Sequence, residues 1–262
     1  MLAAARALFA YLIDYAGIFP PASLDLQTAM ANYKRYLKAS DCWMLGRFVL
    51  PASRVSEVER VPMTVLIGSD SDADVASAIA AGADVVECKA TTAAQVDSIA
   101  TRLPEGLTCY YEIPVAQDPQ PILKRIAEVG GRAKIRMGGL TPDAVPSSAQ
   151  VARFLRSCID LHVPFKATAG LHHPMRSASM HGFLNVFLGA AFLQEGIDEA
   201  ACVELLDEQH ADAFMFHNDF VEWRLRRIGV SDIERARAHV AIAFGSCSFE
   251  EPVEHLKAMG LL

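Results

Sequence analysis

The chain lacks an uninterrupted apolar run of the roughly 18 residues that a membrane-spanning helix needs, because charges interrupt its 262 residues every few positions. No membrane partner is therefore expected. An excess of basic residues is also missing: 24 Lys and Arg stand against 31 Asp and Glu, giving a net charge of −7. Such a balance argues against a nucleic-acid partner. Paired cysteines are absent. Cys42, Cys88, Cys109, Cys158, Cys202 and Cys247 are scattered with no CxxC pair and no zinc-like clustering, which reads as reduced thiols in a cytoplasmic protein. No GxGxxG turn follows an early strand pattern, so a dinucleotide-binding open sheet is disfavoured. No HExxH or HxH spacing announces a metal; no organic cofactor is expected, and a divalent metal stays open on generic ligand chemistry. Repeats and low-complexity segments are lacking too. The opening MLAAARALFAYLIDYAG carries an Arg inside its apolar stretch and reaches Asp14 early, so it reads as an amphipathic helix rather than a secretion signal.

What is present is a rhythm. From Trp43 onward, short apolar strands alternate with amphipathic helical patterns at intervals of roughly 20–30 residues, as in βα units on a parallel sheet. Strands are expected at 44–50, 63–69, 84–90, 108–114, 133–139, 164–170, 213–217 and 241–246. Helices are expected at 72–81, 93–102, 121–129, 148–160, 184–194, 199–207, 232–239 and 250–259. Eight such steps in a chain of this length predict one α/β domain over 1–262, a closed (β/α)8 barrel of the TIM type. Residues 1–42 form an N-terminal helical extension in this reading, with Ser23 or Asp25 capping its second helix. The first βα step is weak, because only 55–60 is available for its helix.

Side chains on a strand alternate faces, so parity sorts them. Glu87 and Lys89 share one face of their strand, Tyr110 and Glu112 of the next, Lys134 and Arg136 of the next, Lys166 and Thr168 of the next. The apolar partners must face the helices, which turns the charged set toward the barrel axis. Most of it lies toward the C-terminal strand ends, where barrel enzymes keep their active sites. Two acids against four bases suggest a small anionic substrate. A salt-bridge network that only fills the barrel is the alternative reading of the same residues.

The densest stretch is 163–185, VPFKATAGLHHPMRSASMHGFLN. It presents Lys166, Thr168, His172, His173, His181 and Asn185 beside a buried strand, and its segment 172–182 reads as a lid over the mouth. Glu87, Glu112, His172 and His173 are candidates for proton transfer. Substrate binding falls to Arg136, Lys134, Lys89, Thr168, His181 and Asn185. Two glycine turns, with Gly138 and Gly139 after one strand and Gly245 and Ser246 after another, could present backbone N–H groups to an anion. Simple strand-to-helix punctuation, with Ser248 as a helix cap, explains the second turn equally well.

Taken together, DYAGIFPPASLD, FKATAGLHHP, MHGFLNVFL and FGSCSFEEPVEHL resemble a family of bacterial proteins described only as hypothetical. Locally, Lys166-Ala167-Thr168-Ala169-Gly170 resembles the Lys-x-Ser-Thr-Gly strand end of deoxyribose-phosphate aldolase, a class I aldolase whose lysine forms a Schiff base on the sixth barrel strand. Thr168 stands at the family's serine and Ala169 at its threonine. The resemblance implies an aldolase-type lyase acting on a small phosphorylated or carboxylated carbonyl compound, with Lys166 as nucleophile. The residues leave two alternatives open. One is a metal-dependent lyase or hydrolase built on His172, His173 and His181 with Glu87 or Glu112. The other is a non-catalytic barrel that binds an anionic metabolite. A homo-oligomer is also left open.

Overall fold

The computed structural model describes residues 1–139 and 144–262. In chain order its first half runs α1 (Ala3–Phe9), β1 (Ile13–Tyr15), α2 (Leu26–Tyr36), β2 (Leu45–Pro51), β3 (Met63–Leu66), α3 (Asp72–Ala80), β4 (Val85–Lys89), α4 (Ala93–Ala100), β5 (Thr108–Glu112) and α5 (Gln120–Glu128). The second half runs β6 (Arg132–Arg136), α6 (Ser148–Asp160), β7 (Phe165–Thr168), α7 (Phe183–Gln194), α8 (Glu199–Leu206), β8 (Phe214–Phe216), β9 (Phe220–Trp223), β10 (Arg226–Gly229), α9 (Val230–His239), β11 (Ala241–Ser246) and α10 (Glu250–Ala258). Among the described residues no helix is long and apolar enough to cross a membrane.

Eight of these strands close a parallel barrel in the order β1-β11-β7-β6-β5-β4-β3-β2. The expected (β/α)8 architecture is therefore present, but one strand is exchanged. The segment expected as the seventh barrel strand, 213–217, instead supplies β8 of a separate three-stranded sheet, antiparallel to β9. A connection as short as that between β8 and β9 suits an antiparallel pair, whereas a parallel neighbour needs a crossover. The vacated place is taken by β1, inside the segment expected as an N-terminal helical extension, which pairs with β11 on one side and β2 on the other. All three residues of β1 are buried. Lys166 consequently sits on the seventh barrel strand, not the sixth.

Local signals place most of the helices. The Asp25 side chain accepts the Thr28 N–H at 2.9 Å and starts α2, and Ser147 with Gln150 forms a capping box before α6. Each such cap contributes about 1 kcal/mol. The weak first step is a 3-10 turn over Ala52–Glu57 in place of a helix. Between barrel and helices, Phe165 packs edge-on against Phe154 at 5.5 Å and stacks on Phe187 at 6.2 Å. Burying each of these rings contributes roughly 2 kcal/mol, which fixes the outward face of β7 and so the inward aim of Lys166.

Candidate active site

The barrel axis is filled by charge rather than by the branched apolar residues usual there. Neighbours in register on parallel strands face the same way, and Lys89 pairs with Glu112, Glu112 with Lys134, and Lys134 with Lys166. The inward face read from parity is thus the observed one. From it runs a chain of alternating ions. The Lys166 ammonium lies 2.5 Å from Asp14 and 2.5 Å from Glu87. The other Glu87 oxygen accepts from Lys134 at 2.6 Å, and Lys134 also meets Glu112 at 2.9 Å. Arg136 closes the series, 3.9 Å from Glu112. Asp14, Glu87, Lys134 and Lys166 are each at most 5% exposed, whereas the Arg136 side chain is half exposed at the strand end.

Asp14 is the member that sequence reading missed. Its carboxylate is held by the Arg47 N–H at 2.7 Å as well as by Lys166. Gly46 makes room for it, since any side chain there would collide with the Asp14 oxygen. With Asp14 counted, three carboxylates face the four cations Lys89, Lys134, Arg136 and Lys166, a surplus of one where two acids against four bases were expected. Lys89 is exposed at the end of β4 and makes no ion pair among the described residues. The cations open to a ligand are therefore Lys89 and Arg136.

The pairing fixes protonation. Burial alone would keep Glu87 neutral, but the adjacent Lys166 and Lys134 ammoniums outweigh it and hold the carboxyl down at about 2. Burial likewise opposes the Lys166 ammonium, and Asp14 and Glu87 outweigh it, so its pKa lies above that of a free lysine. Lys134 is raised for the same reason by Glu87 and Glu112. The contest between desolvation and contacting carboxylates at Lys166 is decided in favour of the charged amine.

Above this layer the mouth is lined by small groups. Thr168 is half-buried beside Gly245, where an added Cβ would lie 3.4 Å from its hydroxyl. Gly138 and Gly170 lie against each other; a Cβ on Gly138 would come within 2.9 Å of the Gly170 Cα. These glycines serve close approach of two strand ends. Gly139 leaves room for Ala144 in the same way. Ser246 is buried and its hydroxyl accepts the Ser248 N–H, while Ser248 accepts the Glu251 N–H at 3.1 Å. That last contact is the expected capping role at the start of α10. A 390 Å³ cleft bounded by Leu103, Thr108, Tyr111 and Gly131 opens at the opposite, N-terminal end of the barrel and touches no member of the ion chain.

The histidines separate into two groups. His181 is buried, hydrogen-bonded to the Pro146 carbonyl at 2.7 Å and in contact with Arg176; burial lowers its pKa. Asn185 is fully buried and donates to the Leu205 and Glu208 carbonyls while accepting the Arg176 N–H. Both are committed to the framework of the loop and do not reach the ion chain. His172 and His173 stand on the C-terminal rim against α10 and the turn before it: His172 meets the Cys247 thiol and lies 3.4 Å from Glu251, and His173 lies 3.2 Å from His255. The grouping of His172, His173 and His181 with Glu87 or Glu112 is therefore not brought together, because both glutamates are occupied by lysines and His181 faces Pro146. His255, on α10, belongs with His173. Glu251 and His255 four residues apart on one helix face were the available signal.

No protein-family model matches the chain, and no curated protein matches it.

Proposed function

We propose that the chain is a barrel enzyme of the lyase type that acts at its C-terminal mouth on a small anionic carbonyl compound. Lys166 is its Schiff-base nucleophile. The observation that carries this reading is the seat of the Lys166 amine: it lies beneath a mouth of small residues, between two carboxylates that would balance the positive charge of an iminium. Lys89 and Arg136, the two accessible cations, would hold the substrate's carboxylate or phosphate.

In this scheme the Lys166 ammonium loses a proton to solvent as the substrate enters. The freed lone pair attacks the carbonyl carbon while the π electrons move to oxygen; one proton from the attacking nitrogen and one from solvent turn that oxygen into water, which leaves as the nitrogen lone pair forms the carbon–nitrogen double bond. The resulting iminium withdraws electrons from the adjacent carbon–carbon or carbon–hydrogen bond. Glu112, in contact with Lys134, would accept the proton released at the substrate hydroxyl or carbon. The resting amine is charged, so nucleophilic attack requires a deprotonation that becomes easier as pH rises. Six unbridged cysteines suit a reducing cytoplasm.

The test is incubation with candidate keto and aldehydo acids and their phosphates in borohydride, followed by peptide mass spectrometry. A reduced adduct on Lys166 supports the reading. Turnover without any lysine adduct sinks it. One observation favours a second reading: because the buried cations are already matched by carboxylates, the barrel would bind an anion at Lys89 and Arg136 without chemistry. Saturable anion binding with neither adduct nor turnover would identify that case.

A further inference from the structure

The rim cluster lies outside the ion chain and has its own chemistry. The loop after β7 brings His173, and α10, which follows β11, brings Glu251 and His255 on one face at i and i+4. One donor atom from each of the three lies within 4.8 Å of the others. The two imidazoles present the same nitrogen to each other, Nδ1 to Nδ1 at 3.2 Å, with ring centroids 4.7 Å apart. Two facing nitrogens can share one proton or one cation. If each made a zinc–nitrogen bond of about 2.1 Å, a 3.2 Å separation would place them about 100° apart at the ion, close to the tetrahedral angle.

From this geometry we infer that His173, His255 and Glu251 form a site for a borderline divalent cation of the Zn²⁺ class on the rim of the barrel mouth. Two imidazoles and one carboxylate suit Zn²⁺ or Co²⁺ and disfavour Ca²⁺ or Mg²⁺, which take oxygen donors. Three protein ligands leave a coordination position for water or a substrate oxygen. His172 orients the set: its Nδ1 lies 3.4 Å from the Glu251 carboxylate, the kind of outer contact that holds a metal-binding side chain in place. His173 is exposed and the other two are partly so, which gives a cation an open route from solvent.

The experiment uses the full chain, stripped with chelator and titrated with Zn²⁺ alone and with Co²⁺ alone. We expect one equivalent of Zn²⁺ to survive desalting, and visible Co²⁺ bands of a nitrogen–oxygen site without a thiolate charge-transfer band. Outer-shell changes cost 10–100-fold in affinity, so His172→Ala should fall in that range, and His173→Ala or His255→Ala should cost at least about 100-fold. His217→Ala and His239→Ala, exposed histidines elsewhere, should change nothing. The assignment is overturned by the absence of a stoichiometric ion, by affinity indifferent to His173 and His255, or by a thiolate band that moves the ion to a cysteine. Trapping at Lys166 is carried out on metal-free protein, so this site and the Schiff-base reading can each fail alone.

Discussion

Two clusters of ionisable side chains sit near the same barrel mouth, and they are built on opposite principles. In the interior, Asp14, Lys166, Glu87, Lys134 and Glu112 alternate in sign with contacts of 2.5–2.9 Å, nearly sealed from water. At the rim, His173, His255 and Glu251 gather donors of one kind, lone pairs turned toward each other and open to solvent. The interior ions answer one another; the rim donors are left open to solvent. Burial explains the contrast. A charge taken out of water must be matched by its neighbours, whereas an accessible imidazole loses little by waiting for a ligand.

Removing one member from each cluster should separate the two most strongly. Lys166→Met leaves Asp14 and Glu87 buried side by side without their shared cation. We expect a loss of about 3–5 kcal/mol in denaturant unfolding, and partial recovery when Asp14→Asn is added. A loss below about 1 kcal/mol would mean the interior ions are far better hydrated than their burial implies.

The next effect is on pH dependence. The Glu87 carboxyl is depressed to about 2, so its contribution is fully present above the unfolded value near 4.5 and is lost as pH falls toward 2. The span corresponds to roughly 3 kcal/mol. Lys166 and Lys134 are raised, so their contribution is present below the ordinary lysine range and fades only in strong alkali. Stability should therefore be level through neutral pH and fall between about 4.5 and 2, with Glu87→Gln flattening that acid limb. An unchanged acid limb in Glu87→Gln would assign it to other carboxylates.

Smaller effects should mark the rim and the mouth. His255→Ala in metal-free protein should shift stability by no more than about 0.5 kcal/mol, against several for Lys166→Met. A large loss would mean that the rim cluster is itself a structural element. Arg136→Ala, half exposed and 3.9 Å from Glu112, should be similarly mild in unfolding, yet weaken binding of an anionic ligand several-fold by calorimetry. Equal affinity in the variant would remove Arg136 from the anion site.

The sequence showed the alternating pattern because its apolar faces are long and regular. The α6 boundaries follow from a Ser147 cap and a clean helical period, and parity alone turned Glu87, Lys134 and Lys166 inward. What stayed hidden has physical causes. A three-residue strand such as β1 has no alternation to read, and Leu12 and Ile13 fit the apolar period of the opening helix although the chain has already turned at Tyr11, with φ 51. The β8 segment is apolar enough for a barrel strand, but it pairs locally with β9. His255 meets His173 only because the ends of β7 and β11 are neighbours, and a pairing 82 residues apart leaves no local trace. His181 and Asn185 looked reactive because polar groups that brace a buried loop have the same composition as polar groups that bind a substrate.

The central claim is that Lys166 is a nucleophile held in reserve as an ammonium between two carboxylates. Borohydride trapping on metal-free protein, run with a saturating carbonyl substrate across pH 7 to 9 and quantified at Lys166 by mass spectrometry, tests it most directly. While loss of one proton limits the reaction, the adduct rate should rise about tenfold per pH unit, because each unit exposes ten times more neutral amine. A pH-independent rate at Lys166 would contradict the resting ammonium. Label confined to exposed lysines such as Lys89, with Lys166 untouched at every pH, would contradict its role as nucleophile.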